Sequence, residues 1–258
     1  MTLNFGRLMN KIFSKANHGS SVHTKQLSIF KKSKTKEQIS PYIILRATKD
    51  DHLNILRLMQ ETYFVEEPTH YSLGVTKNQV LNERALSALA ENMTVISRCK
   101  YDGRIVGACI NVSAHCWDPD VQEKLACGVR CPKVRQLLLF LAHMQRFPDI
   151  WRKYDVNKVF EMDMMFVHRH HRKRGIAMRL MKESLDTAAD CGFKVVRCDA
   201  SNAYTAKLCE RLHMEKIAEI PYSSYLSRNM EQIFSPPHPH QSVKIYVDID
   251  PQLKKFNK

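Results

Sequence analysis

Between Met164 and Ala177 an apolar run gives way to His168-Arg169-His170-His171-Arg172-Lys173-Arg174, then to Gly175-Ile176-Ala177 at the head of an amphipathic segment. A strand that ends in a tight basic loop and feeds a helix at a glycine aligns successive backbone N–H groups with the positive end of the helix dipole. Such a cradle suits a pyrophosphate. It is neither a Walker A loop nor a dinucleotide-binding glycine triplet, both of which need more glycines. A nuclear-localisation or RNA-binding run, or a plain solvated loop, would share the composition. Such a tag, however, has no reason to sit between a buried strand and an amphipathic helix. Metal binding by the three histidines is disfavoured, because imidazoles among four cationic side chains would have to hold a cation against repulsion.

The flanking sequence supplies the elements that must hold this turn. Tyr42–Thr48 is β-rich, and Asp50 and Asp51 then open a helix with Leu53, Leu56, Met59 and Tyr63 at helical spacing. Pro68 is expected to end that helix near Phe64. A second helix follows Thr76, with Val80, Leu81, Ala85, Leu86 and Leu89 on its inner face. Thr94–Cys99 and Ile105–Val112 read as a hairpin around Asp102-Gly103. Residues 114–156 look like an insertion of one or two helices, the clearer being Val134–Phe147. Val159–Val167 is a strand, and the helix after Gly175 is expected to stop at Cys191-Gly192. Phe193–Cys198 is a strand, Asn202–Leu212 a helix, and Lys216–Ile220 and Val243–Ile249 the last strands. The pattern predicts an α/β fold, a mixed central sheet of about seven strands with helices on both faces.

The chain has 258 residues, 44% hydrophobic and 26% charged, the composition of a soluble globular protein. Its longest apolar run, Leu137 to Ala142, is far too short to span a membrane. The net charge of +14 favours anionic partners, and half of it lies in residues 1–40, where eight basic side chains face one acid, Glu37. There Phe5, Leu8, Met9, Ile12 and Phe13 gather on one side of a helical wheel opposite Arg7, Lys11 and Lys15. A mitochondrial transit peptide has this composition, and so does a solvated basic arm. Residues 1–40 are therefore expected to be a disordered or targeting extension before a folded domain at 41–258. The eight scattered cysteines read as reduced thiols, and Cys127 and Cys131 lack a second ligand pair at zinc spacing.

The Arg172-x-x-Gly175-x-Ala177 spacing resembles the acetyl-coenzyme A signature of the GCN5-related N-acetyltransferase superfamily. Phe64-Val65-Glu66-Glu67-Pro68, Asp199-Ala200-Ser201-Asn202-Ala203-Tyr204-Thr205-Ala206-Lys207 and Phe234-Ser235-Pro236-Pro237-His238-Pro239-His240 are, in that order, similar to motifs of the insect arylalkylamine N-acetyltransferases. The resemblance runs from about Tyr42 to Asp250. It implies the fold of that superfamily, acetyl-coenzyme A as co-substrate and a small primary amine as acceptor. It also implies Glu67 as general base, Ser201 and Thr205 as the two hydroxyl positions, and a cofactor site made by Met165, Phe166, Val167, Arg172, Lys173, Arg174, Gly175, Ile176, Ala177 and Asn202.

The chemistry agrees with these assignments. An amine near the lysine pKa of about 10 is mostly protonated at neutral pH, so acetyl transfer needs a carboxylate to take the proton, directly or through water. A backbone N–H near Phe166 or Val167 could stabilise charge on the thioester carbonyl, and Ser201, Tyr204 or Thr205 could serve the departing thiolate. On the residues alone, Glu67 reads first as an ordinary helix exit and Ser201 as a helix cap.

Three departures from the resemblance stand out. Cys209 and His213-Met214 replace the tyrosine and Gly-Phe pair many members carry, Lys173 replaces a frequent glycine, tolerable at negative φ, and Thr69 replaces an apolar residue. Tyr63, Phe64, Tyr71, Tyr222 and Tyr225 are candidate pocket aromatics. The expectation is an acetyl-coenzyme A-dependent N-acetyltransferase of an arylalkylamine such as dopamine, serotonin, tyramine or tryptamine, acting by direct transfer. Polyamine, agmatine or protein acetylation, or a non-catalytic acyl-coenzyme A- or nucleic-acid-binding protein of the same fold, are the alternatives. A monomer without metal, nucleic acid or membrane span is expected, cytoplasmic or, through its basic segment, mitochondrial.

Overall fold

The first β-rich run forms β1 (Tyr42–Arg46), antiparallel to β2 (Val95–Cys99), and β2 turns at Asp102-Gly103 into β3 (Ile105–His115). Gly103 takes the φ of +69° that this turn requires. The computed structural model describes residues 40–256, so the basic N-terminal segment and its candidate targeting role lie outside the described residues. With β4 (Lys158–Val167), β5 (Val195–Ala200), β6 (Glu215–Pro221) and β7 (Ser242–Ile249) the strands form one sheet of seven, ordered β1-β2-β3-β4-β5-β7-β6.

Alternation along the strands feeds two main cores, with a smaller third cluster of Ala114, Ile150, Trp151, Val159, Val195 and Val247. Ala108, Ile110 and Ile245 face one cluster, with Ile55, Leu58 and Met59 of α1 (His52–Glu61) and Leu81, Ala85 and Leu89 of α4 (Gln79–Ala90). Val106, Cys109 and Tyr246 face the other, with Ile176, Leu180 and Met181 of α8 (Ile176–Asp190) and Ala206 and Cys209 of α9 (Ala203–Arg211). Helices on both faces of a mixed sheet match the architecture the sequence predicts. All eight cysteines are free thiols, four of them buried. Among the described residues no helix is long and apolar enough to cross a membrane.

Two expectations need correction. Pro68 does end a helix, but it also starts one. After α1 come α2 (Tyr63–Glu66) and then α3 (Pro68–Leu73), with Pro68 in the first turn and Glu67 as N-cap, accepting from Thr69 N and His70 N. A proline cannot continue a helix, yet its fixed φ and missing N–H suit a first turn. The insertion holds three helices, α5 (Asp118–Gly128), α6 (Pro132–Arg146) and α7 (Ile150–Tyr154). Arg197 of β5, 1% exposed, donates to the carbonyls of Met144, Gln145 and Phe147 at the end of α6. That ties the insertion to the sheet. The chain ends in α10 (Pro251–Phe256).

The sheet opens at its centre. β4 and β5, the parallel neighbours, pair only at Phe160↔Val196 and Glu161↔Arg197, and diverge beyond. β4 also carries a bulge: Ile110 pairs with Met164 and Asn111 with Met162, leaving Asp163 over. Met162 and Met164 therefore face opposite cores, although strict alternation would put them on one side.

Candidate active site

Past Val167 the basic loop makes one tight turn at Arg169–His171, then Arg172 extends, Lys173 adopts φ +60° and Gly175 φ +73° as N-cap of α8. A glycine cap offers no side chain, so the first N–H groups of this 15-residue helix are left for a ligand. A Cβ at Gly175 would meet nothing within 4 Å, which puts open space directly before the helix. Arg172 donates from Nε to Val167 O at 2.8 Å and pairs with Glu66. Arg174 turns to the Tyr42 hydroxyl at 2.8 Å, and Ile176 is buried in the core.

The opening between β4 and β5 is a cleft of about 600 Å³. Met165, Phe166, Val167, Arg172, Lys173 and Ala177 line one wall, and Asn202, Tyr204, Thr205 and Leu208 the other. Asn202, rather than Ser201, caps α9, accepting from Tyr204 N and Thr205 N. Because His168 N donates to Val106 O across β3, the alternation of an antiparallel ladder points Phe166 N–H to β3 as well, and Met165 and Val167 outward to the unpaired edge. The outward donor beside the turn thus belongs to Val167, not Phe166.

Behind the cleft lies a second, inner cavity of about 60 Å³. Tyr63 and Glu67 line both, so they stand where the two spaces meet. Glu67 is buried, and four donors converge on its Oε2: Thr69 N and His70 N at 2.9 Å, His70 Nδ1 at 2.7 Å, and the Thr69 hydroxyl. Burial by itself raises the Glu67 carboxyl, but the hydrogen bonds from His70 and Thr69 outweigh it and hold the carboxyl below its ordinary range. Burial together with the Glu67 charge pushes the Tyr63 phenol well up.

The far wall of the inner cavity carries Glu161, Asp163, Asp199 and Arg84. Arg84 Nη2 pairs with the bulged Asp163 at 2.8 Å, and Arg197 holds Asp199 at 2.7 Å. Glu161 has no such partner, only Gln145 Nε2 at 3.3 Å. Burial, then the charges of Asp199 and Asp163, push its carboxyl well above the ordinary range. Ser201 lines this inner cavity, with its carbonyl held by the Tyr222 hydroxyl at 2.6 Å, whereas Thr205 lines the cleft. Of the candidate aromatics Tyr63 and Phe64 line the inner cavity, Tyr71 is exposed, and Tyr222 and Tyr225 pack on Phe140 and Phe234.

A family model described as the acetyltransferase (GNAT) family matches residues 53–214, most of the region that builds this site. The chain belongs to the acetyltransferase (GNAT) family. Solved structures of the same fold include arylalkylamine N-acetyltransferase 2 from Aedes aegypti, at 23% identity and a TM-score of 0.77, covering 81% of this chain and 99% of that one. A mosquito arylalkylamine N-acetyltransferase like 5b gives 22% and 0.76 over 81% and 99%. Polyamine N-acetyltransferase from Drosophila melanogaster gives 22% and 0.73 over 81% and 99%. At these identities the likeness establishes the fold.

In this GNAT acetyltransferase the turn departs from the sequence expectation at one residue. Lys173 sits at positive φ, where a negative value was the condition for tolerating a lysine. The left-handed region costs a residue with a Cβ roughly 1–2 kcal/mol, so lysine is kept here against backbone strain. Lys173→Gly should raise stability to thermal unfolding by roughly 0.5–1 kcal/mol. It should also weaken acetyl-coenzyme A binding several-fold through loss of charge. Lys173→Ala should lose the affinity without the gain in stability. His213, also at positive φ, takes the strained position after α9 where the family resemblance implies glycine.

Proposed function

We propose that the protein transfers the acetyl group of acetyl-coenzyme A to a small primary amine, an arylalkylamine in the first instance, by direct attack without a covalent enzyme intermediate. One observation carries this reading: Glu67 borders both the cleft beside the phosphate-binding turn and an inner cavity rich in carboxylates. Acetyl-coenzyme A supplies the acetyl group as a thioester. The free N–H groups of α8, Lys173 and the open space before Gly175 fit its pyrophosphate. The carboxylates of the inner cavity attract a cationic amine, and removal of its proton depends on Glu67. Val167 N–H stabilises negative charge on the acetyl oxygen, and Thr205, on the cleft wall, serves the thiolate more directly than Ser201.

A second acceptor class is favoured by the inner wall. Glu161 has no cationic partner and its carboxyl is pushed up, so an acceptor with a second positive group, such as agmatine or a polyamine, would favour its ionised form and pair with it there. A thermal-shift titration with acetyl-coenzyme A, followed by thiol release across tyramine, dopamine, serotonin, tryptamine, agmatine and spermidine, tests both readings. Cofactor stabilisation and turnover of at least one amine are expected, with Thr205→Ala costing about tenfold and Ser201→Ala less, since water can replace either hydroxyl. Cofactor binding without turnover of any amine would establish a non-catalytic acyl-coenzyme A binder instead.

A further inference from the structure

His70 stands three residues after Glu67 in the first turns of α3, and α3 exists because Pro68 starts a new helix. His70 is 5% exposed, its ring packed edge-on against Tyr63 at 5.4 Å and beside Phe64 at 5.5 Å. Nδ1 lies 2.7 Å from Glu67 Oε2. An ionised carboxylate can only accept, so Nδ1 must carry the hydrogen, and in the neutral form of the ring the lone pair then lies on Nε2. Nε2 is buried without any hydrogen-bond partner, while the ring lines the inner cavity. An orphaned buried acceptor is costly, and that cavity of about 60 Å³ has room for a water or a substrate group to satisfy it.

We propose that His70 is the catalytic base of this site, its Nε2 taking the ammonium proton directly or through one water while Glu67 holds the ring in the required tautomer. This rests on the amine-acetylation reading above. Glu67 is a weakened base: the donors that converge on its Oε2 hold its carboxyl below the ordinary range. Imidazole is the side chain whose ordinary titration lies closest to neutrality. The groups facing the pair are Tyr63 from α2, Arg84 from α4, Glu161 and the Arg84-paired Asp163 from β4, Asp199 from β5, and His240 across the cleft. Asp163 and Asp199 are each held by an arginine, Arg84 and Arg197, and Glu161 has no cationic partner. One proton passes from the ammonium to Nε2. A second leaves the nitrogen as the C–N bond forms and the C–S bond breaks, and it balances the thiolate, so the ring returns its own proton to solvent after turnover.

His70→Asn tests this directly, because the asparagine amide can replace Nδ1–H as donor to Glu67 while nothing replaces Nε2. The variant should lose about 10²- to 10³-fold in kcat/KM at neutral pH. It should also lose the ionisation through which the wild-type rate rises with pH, and keep acetyl-coenzyme A affinity within about twofold. Turnover within threefold of wild type, with the ionisation retained, would overturn the proposal while leaving amine acetylation intact. A wild-type protein that acetylates no amine in the panel would overturn both. Nitrogen NMR of the histidine rings in the wild-type protein gives a readout independent of the variant's folding: a neutral Nδ1–H tautomer whose titration coincides with the kinetic ionisation is expected, and an Nε2–H tautomer would refute the assignment.

Discussion

Glu67→Gln lowers the turnover number by about two to four orders of magnitude, the span of a general acid–base contribution, while acetyl-coenzyme A affinity barely changes. Glutamine is the informative replacement. Its amide oxygen can still accept from Thr69 N and His70 N, so the N-cap of α3 survives. Alanine would also remove the cap, at about 0.5–2 kcal/mol, and mix a stability loss into the kinetics. What glutamine removes is the negative charge beside His70 Nδ1 and the certainty of its tautomer, since an amide can donate as well as accept. The same loss is expected whether Glu67 takes the proton or orients the group that does, so the pH profile carries the distinction. A Glu67→Gln enzyme with wild-type turnover and an unchanged profile would place the base elsewhere. Stopped-time thiol release across pH, with an acetyl-coenzyme A titration on the same preparations, provides the measurement.

Gly175→Glu abolishes acetyl-coenzyme A binding, with at least about a 100-fold rise in Kd, which corresponds to about 2.7 kcal/mol. Two effects combine. A Cβ at Gly175 meets no protein atom within 4 Å, so a glutamate there starts in the space before α8 where the pyrophosphate is proposed to lie, and it carries the same charge sign as the phosphates. The residue must also hold φ +73°, which disfavours any Cβ. Gly175→Asn separates the two, since asparagine tolerates the left-handed region and brings no charge. It should fold and bind with an intermediate loss. Calorimetric titration of both variants decides the matter, and an unchanged Kd for Gly175→Glu would remove the phosphate-binding turn from the cofactor site.

Local sequence determined the strands, most of the helices and the turn. Seven strands follow from runs such as Tyr42–Arg46 and Ile105–Val112, because period-two burial and β-branched residues leave few other conformations open. The stop at Gly192 follows from a residue that takes φ +75° without strain. The basic loop between strand and helix is legible for the same reason: it needs only residues adjacent in the chain. Tertiary structure alone decided what meets the turn. Pro68 is readable as the end of one helix, and that Glu67 caps another and brings His70 onto its own carboxylate depends on the chain turning back toward the sheet. Asp163 reaches the inner cavity through a bulge invisible in its alternating strand, and there it meets Arg84 from a helix 79 residues earlier. Glu161 and Asp199 sit on neighbouring strands that pair for two residues and then separate. Periodicity fixes which face a side chain takes, whereas strand order and splay, set by packing across the whole sheet, fix which charges face one another.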